Sequence, residues 1–161
     1  YGYRLQEKDG RRMLPEALER AGVRGAAVRE LQRAGVIEAG GRTVRLDEVS
    51  VPRPGQSFAF VMDTKPCAGA ERLARGVDLL VCEATFLEHQ AREARERLHM
   101  TAAQAAHLAR AAGARRLALT HFSQRYDTLE PFRAEAAPLH PDVVVAEDLA
   151  RVPVPGREPQ V

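Results

Sequence analysis

VDLLVC (77–82), followed at once by EATF (83–86), decides the architecture: the run is apolar on both faces, as a strand in the middle of a parallel sheet must be, and it turns polar at Glu83. Two further runs behave alike. SFAFVM (57–62) ends at Asp63 and RRLALT (115–120) ends at His121. As neighbouring buried strands these runs would bring Asp63, Glu83 and His121 to one sheet edge, where open α/β folds bind ligands and do chemistry. The segments between them carry helical signals. GAERLAR (69–75) reads as a short helix closed by Gly76. Leu87, Ala91, Ala94 and Leu98 recur at helical spacing, with Arg92, Glu93, Arg95, Glu96 and Arg97 as a solvated opposite face. Thr101 with Gln104 forms a capping-box pattern opening an alanine-rich helix that Gly113 ends. Asp127 with Glu130 predicts a capped helix over 128–137, VVVA (143–146) a strand, and RVPV (151–154) an edge strand, because Pro153 cannot donate to a ladder. Alternating strands and helices predict an α/β fold.

Away from this core the signals change. YGYRLQE (1–7) reads as an edge strand already under way, so the chain is expected to be truncated. Residues 10–56 are broken by Gly10, Gly22, Gly25, Gly35, Gly40, Gly41, Pro52, Pro54 and Gly55, which predicts a protruding, loosely packed arm with short helical pieces. Residues 156–161 are expected to fray. With 161 residues, 45% hydrophobic and 29% charged, the chain suits one domain with a real core. The net charge of +2 and pI near 8.8 do not by themselves imply a nucleic-acid partner. Lys8 and Lys65 are the only lysines, and arginine suits phosphate recognition through its planar fork, although a compositional bias toward arginine explains the same count. Cys67 and Cys82 are too few for a disulfide framework, and a reducing cytoplasm is the expected compartment. No apolar stretch approaches membrane-spanning length, so no membrane partner is expected.

The polar residues admit two readings each when taken singly. Asp63 before Thr64 and Pro66 is a common turn former. A neutral imidazole at a strand end, such as His121, is either a zinc donor or a satisfied structural residue. Glu83 and His99 make either a hydrogen bond between elements or an acid at a departing oxygen, since a neighbouring carboxylate favours the protonated ring. Ser123, Arg125 and Tyr126 are either phosphate contacts or a capping segment before Asp127. His89, His107 and His140 read as structural or exposed, and Thr85 and Thr101 as loop-shaping residues without chemistry.

Together, YGYRLQEKDG, MDTKP, DLLVCEATF, LHMTAAQAA, LALTHFSQRY and VVVAEDL occur in an order and spacing that resemble the ribonuclease Z family, tRNA 3′-processing endonucleases of the metallo-β-lactamase superfamily. The combination of Glu-Ala-Thr, His-x-Thr and Thr-His-Phe-Ser-x-Arg-Tyr carries the likeness. The resemblance implies the second half of a four-layer αβ/βα sandwich, in a homodimer that removes the 3′ trailer of precursor tRNA with two zinc ions. By the same resemblance, Asp63 bridges the two metals and His121 binds the second. His99, with Glu83, protonates the leaving group, and Ser123, Arg125 and Tyr126 contact phosphate. Residues 10–56 match the tRNA-binding arm, with Arg24, Arg29 and Arg33 supplying contacts, although an ordinary surface helical hairpin fits them too. Met62 and Met100 depart from the family pattern, where glycine and serine are usual. The family's His-x-His-x-Asp-His cluster and a further histidine are missing from this sequence, which predicts weak zinc binding and no appreciable nuclease activity for the chain alone. Two other classes remain open: another hydrolase of the superfamily, of arylsulfatase or phosphodiesterase type, and a metal-free RNA-binding scaffold.

Overall fold

The computed structural model describes residues 1–157, so the end of the stretch expected to fray, 158–161, lies outside the described residues. In chain order the elements are β1 (Gly2–Gln6), β2 (Gly10–Met13), α1 (Pro15–Arg20), α2 (Ala26–Ala34), β3 (Val36–Ala39), β4 (Arg42–Arg45) and β5 (Ser50–Arg53). They continue with β6 (Ser57–Val61), α3 (Ala68–Ala74), β7 (Leu79–Glu83), α4 (Ala91–Glu96), α5 (Ala102–Ala112), β8 (Arg116–Thr120), α6 (Glu130–Ala136) and β9 (Val143–Val145). The chain forms two compact units, one of Tyr1–Glu7 with Gln56–Gly156, the other centred on Lys8–Gly55.

The larger unit is built on a five-stranded sheet in the order β1-β6-β7-β8-β9. β6 to β9 run parallel, and β1 joins the edge antiparallel to β6. Parallel neighbours need crossovers, supplied by α3, by α4 with α5, and by α6. One sheet face places Ala59, Val61, Leu80, Cys82, Leu117 and Leu119 against Ala70 and Ala74 of α3, four alanines of α5 and Phe132 of α6. Small α5 side chains let that helix approach the strands closely, and its first turn is held by the Thr101–Gln104 capping box, worth about 1 kcal/mol. Gly113 closes it in the left-handed conformation, as its sequence position predicts. The opposite face aligns Tyr3, Phe60, Val81, Ala118 and Val144 across all five strands, with Leu5 and Phe58 in the next row. Tyr3 and Leu5 on this face remain 65% exposed. Helices cover one face of the sheet and leave an apolar face opposite, the layering of half a sandwich.

Several boundaries differ from those the sequence suggests. RVPV (151–154) is not a strand: the carbonyls of Pro153, Val154, Pro155 and Gly156 accept from side chains of Arg116, Gln56 and Arg115 instead of a ladder. Leu98 is not on a buried helix face but 56% exposed, because α4 stops at Glu96 and Leu98 turns left-handed with φ 63°. Asp127 does not cap α6; the Thr128 hydroxyl accepts from the Glu130 amide at 3.1 Å.

The smaller unit is better packed than its broken sequence suggests. β2 pairs with β5 and β3 with β4, both antiparallel. With α1 and α2 they enclose Ala17, Ala21, Val23, Leu31, Val44 and Val49. These strands are four residues each, too short for their alternation to register in the sequence.

Candidate metal centre

Three parallel strands end side by side, and each delivers one polar group at its carboxyl end. Asp63 follows β6, Glu83 closes β7 and His121 follows β8. Asp63 and His121 both have positive φ, 50° and 60°, so the backbone turns sharply as it leaves each strand. The fourth group arrives from a helix end. After α4, the His99 amide donates to the Ala94 carbonyl at 2.8 Å and the Leu98 amide to Arg95 at 3.3 Å. This is the paired bonding of a Schellman motif, and it sets His99 over the strand ends.

Glu83 is the buried centre of the group. Its carboxylate accepts from the Met100 amide (3.0 Å), the Thr85 hydroxyl (2.9 Å), the Thr64 amide and His99 Nδ1 (2.9 Å). With Nδ1 engaged, His99 has Nε2 available to a ligand or substrate. His99 and His121 stack at a tilt, 5.4 Å between ring centroids. His121 Nε2 lies 3.2 Å from Asp63 Oδ1, and one ligand atom from each of Asp63, His99 and His121 falls within 4.8 Å of the others. Exposure rises outward, from 0% for the Glu83 side chain to 22% for His99, 40% for His121 and 65% for Asp63.

Two imidazoles and a carboxylate suit a borderline cation such as zinc. Ligand atoms each about 2.0–2.1 Å from one ion, set at a tetrahedral angle, stand roughly 3.3 Å apart. The 3.2 Å between His121 Nε2 and Asp63 Oδ1 fits that spacing. The residues therefore fit a metal, but three side chains are too few for two four-coordinate ions.

The candidate phosphate contacts are already committed within the chain. Arg125 makes two hydrogen bonds to the Glu93 carboxylate, at 2.8 and 2.9 Å, and a third to Ser123 Oγ at 3.1 Å. Its guanidinium also lies 5.0 Å over the Phe86 ring, which neighbours His99. The pairing holds the Glu93 carboxyl below and the Arg125 guanidinium above their ordinary values. Tyr126 accepts from the Leu87 amide at 3.1 Å and donates to Gln90, with its ring edge-on to Phe132. It is half-buried and packs against the core.

Two participants escaped sequence reasoning. Glu93 belongs to a charge run that reads as solvated surface, and nothing local ties it to Arg125. Thr85 bonds both Glu83 and His121, at 2.9 Å each. The one available signal was its place two residues after Glu83 at a strand end.

Comparison with known proteins places this arrangement in a family. A profile described as "Beta-lactamase superfamily domain" matches residues 23–122. A ribonuclease Z from Nocardia farcinica is 58% identical over 98% of this chain and 52% of its own length. Ribonuclease Z from Streptomyces coelicolor is 55% identical, again over 98% of this chain and 52% of its own. Among solved structures, human tRNase Z, short form, matches with a TM-score of 0.51 and 30% identity over 66% of this chain and 36% of that one. The metallo-beta-lactamase fold protein YhfI from Bacillus subtilis has a TM-score of 0.53 at 22% identity, over 70% of this chain and 49% of its own, and so speaks for the fold. The chain spans about half the length of the curated relatives it matches. A profile match over most of the sequence, on a fold whose strand ends gather Asp63, His99 and His121, establishes that the chain belongs to the beta-lactamase superfamily.

Proposed function

We propose that this chain is the second half of a zinc-dependent endoribonuclease that removes the 3′ trailer of precursor tRNA. The observation that carries the proposal is the convergence of Asp63, His99 and His121 at the carboxyl ends of adjacent strands, in a chain 58% identical to half of a ribonuclease Z. Asp63 and His121 would hold zinc, with the remaining ligands supplied by the other, N-terminal half of the fold. Asp63 is the most exposed member, so a further set of ligands has an open side from which to approach. The apolar sheet face of Tyr3, Leu5, Phe58 and Phe60 is where a second sheet would pack. When bound, the pair of ions supplies an activated water and offsets charge on the phosphoryl oxygens.

His99 has the proton task. Glu83 accepts from its Nδ1–H, and the doubly protonated ring would then present its Nε2 proton to the leaving oxygen, which becomes the 3′-hydroxyl of the tRNA. Arg125 would bind phosphate by exchanging the Glu93 carboxylate for phosphoryl oxygens, with Ser123 close by; Tyr126 would hold the loop rather than the substrate. Arg24, Arg29 and Arg33 of the smaller unit would grip the tRNA body through salt-sensitive phosphate contacts. The complete enzyme would act as a homodimer, and in the reducing cytoplasm, where free thiols such as Cys67 and Cys82 persist.

Co-expression with the unmatched half of the Nocardia farcinica relative tests the proposal. Precursor tRNA should be cleaved by the pair and not by either half, and H99A should lower the rate about 10²–10⁴-fold. A paired assembly that binds zinc yet cleaves small phosphodiesters in preference to precursor tRNA would refute the substrate assignment.

A further inference from the structure

Thr85 stands between Glu83 and His121, 7% exposed, with its Oγ1 2.9 Å from Glu83 Oε2 and 2.9 Å from His121 Nδ1. A hydroxyl has one proton to give and must choose. If it donates to Glu83, it accepts Nδ1–H from His121, and Nε2 is left bare. If it donates to His121 instead, Nε2 carries the proton and turns it toward Asp63 Oδ1, 3.2 Å away. Burial decides between them. Glu83 is fully enclosed and no water can replace a lost donor, whereas the Asp63 side chain is 65% exposed and solvent can serve it.

We propose that Thr85 is a positioning residue that fixes His121 as the Nδ1–H tautomer, so that the Nε2 lone pair faces Asp63 and is ready for a cation. Glu83 thereby orients both imidazoles, His99 directly and His121 through the threonine hydroxyl. The inference rests on the metal-site reading for its purpose, but the tautomer is a property of the metal-free chain. A bare Nε2 beside a carboxylate oxygen is repulsive without a cation, and that is the arrangement a metal-binding pair requires.

Ring nitrogen NMR of the ¹⁵N-histidine-labelled chain, free of metal and at a pH where the ring is neutral, separates the two tautomers. Wild type and T85S should show the proton of His121 on Nδ1, and T85V should shift the ratio about tenfold or more toward Nε2–H, as loss of one hydrogen bond requires. A wild-type ring protonated on Nε2, or a T85V ring still protonated on Nδ1, would overturn the assignment. The amide spectrum reports whether T85V keeps the fold; T85A is the second variant, and if neither folds the wild-type tautomer decides alone. Because no cleavage is read, failure here is distinct from failure of the nuclease proposal, which reconstitution with the other half reads separately.

Discussion

Leu98 occupies a left-handed backbone position, φ 63°, where glycine is usual, and it does so to turn the chain toward His99. A side chain there costs about 1–2 kcal/mol, and Leu98 recovers little packing because it is 56% exposed. L98G should therefore leave stability unchanged or raise it by roughly 1 kcal/mol in urea denaturation; a clear loss would mean that the leucine side chain holds the turn. Glu83 is the opposite case. E83A would orphan the buried Met100 amide, worth about 1–3 kcal/mol, and leave the Thr85 hydroxyl with His121 alone, so the urea midpoint should fall, and an unchanged midpoint would refute the buried-hub geometry. The two thiols separate as well. A hydrogen bond from the Ala70 backbone lowers the Cys67 thiol, while burial pushes the Cys82 thiol up. A chromogenic disulfide reagent should find one fast thiol in the native chain and the second only on unfolding, and two fast thiols would contradict the burial of Cys82. Asp63, Glu83 and His121 were legible in the sequence because each follows an apolar run. Thr85 was not, since its role depends on the distance between two separate strands.

At the level of elements, the parallel strands and the helix ends at Gly76 and Gly113 follow from local pattern, since burial on both faces and left-handed caps leave a local signature. What local pattern cannot encode is competition for backbone groups: RVPV has strand composition, but arginine and glutamine side chains claim its carbonyls. The join between α4 and the loop after β8 is likewise non-local, made by Glu93 and Arg125. A carboxyl held below its unfolded value contributes stability above the unfolded pKa, about 4.3 for glutamate, and loses it as pH falls through the lower folded value. The Glu93 side-chain carboxyl should accordingly titrate below an ordinary glutamate by carbon NMR, and R125A should raise it toward the ordinary range, with Arg97, 3.1 Å from Glu93 Oε1, keeping part of the shift. A Glu93 that titrates normally in the wild-type chain would mean that the pair is open in solution. An open pair would leave Arg125 free for phosphate from the outset.

Across the whole molecule, the sheet with helices on one face and aromatic and aliphatic side chains on the other is legible as half of a layered fold, and the candidate site on its edge gathers Asp63, His99 and His121. Packing within the Lys8–Gly55 unit was the feature least visible in sequence, because its strands are only four residues long and many glycines and prolines mask the small core. The most direct test of a metal centre divided between two halves is the zinc stoichiometry of the chain alone and of its assembly with the other half, measured by native mass spectrometry. The chain alone should hold fewer than two tightly bound ions, the assembly two, and D63A or H121A in the assembly should lower that number. Two tightly held ions in the isolated chain, or two retained in the assembly after loss of both Asp63 and His121, would contradict the shared centre.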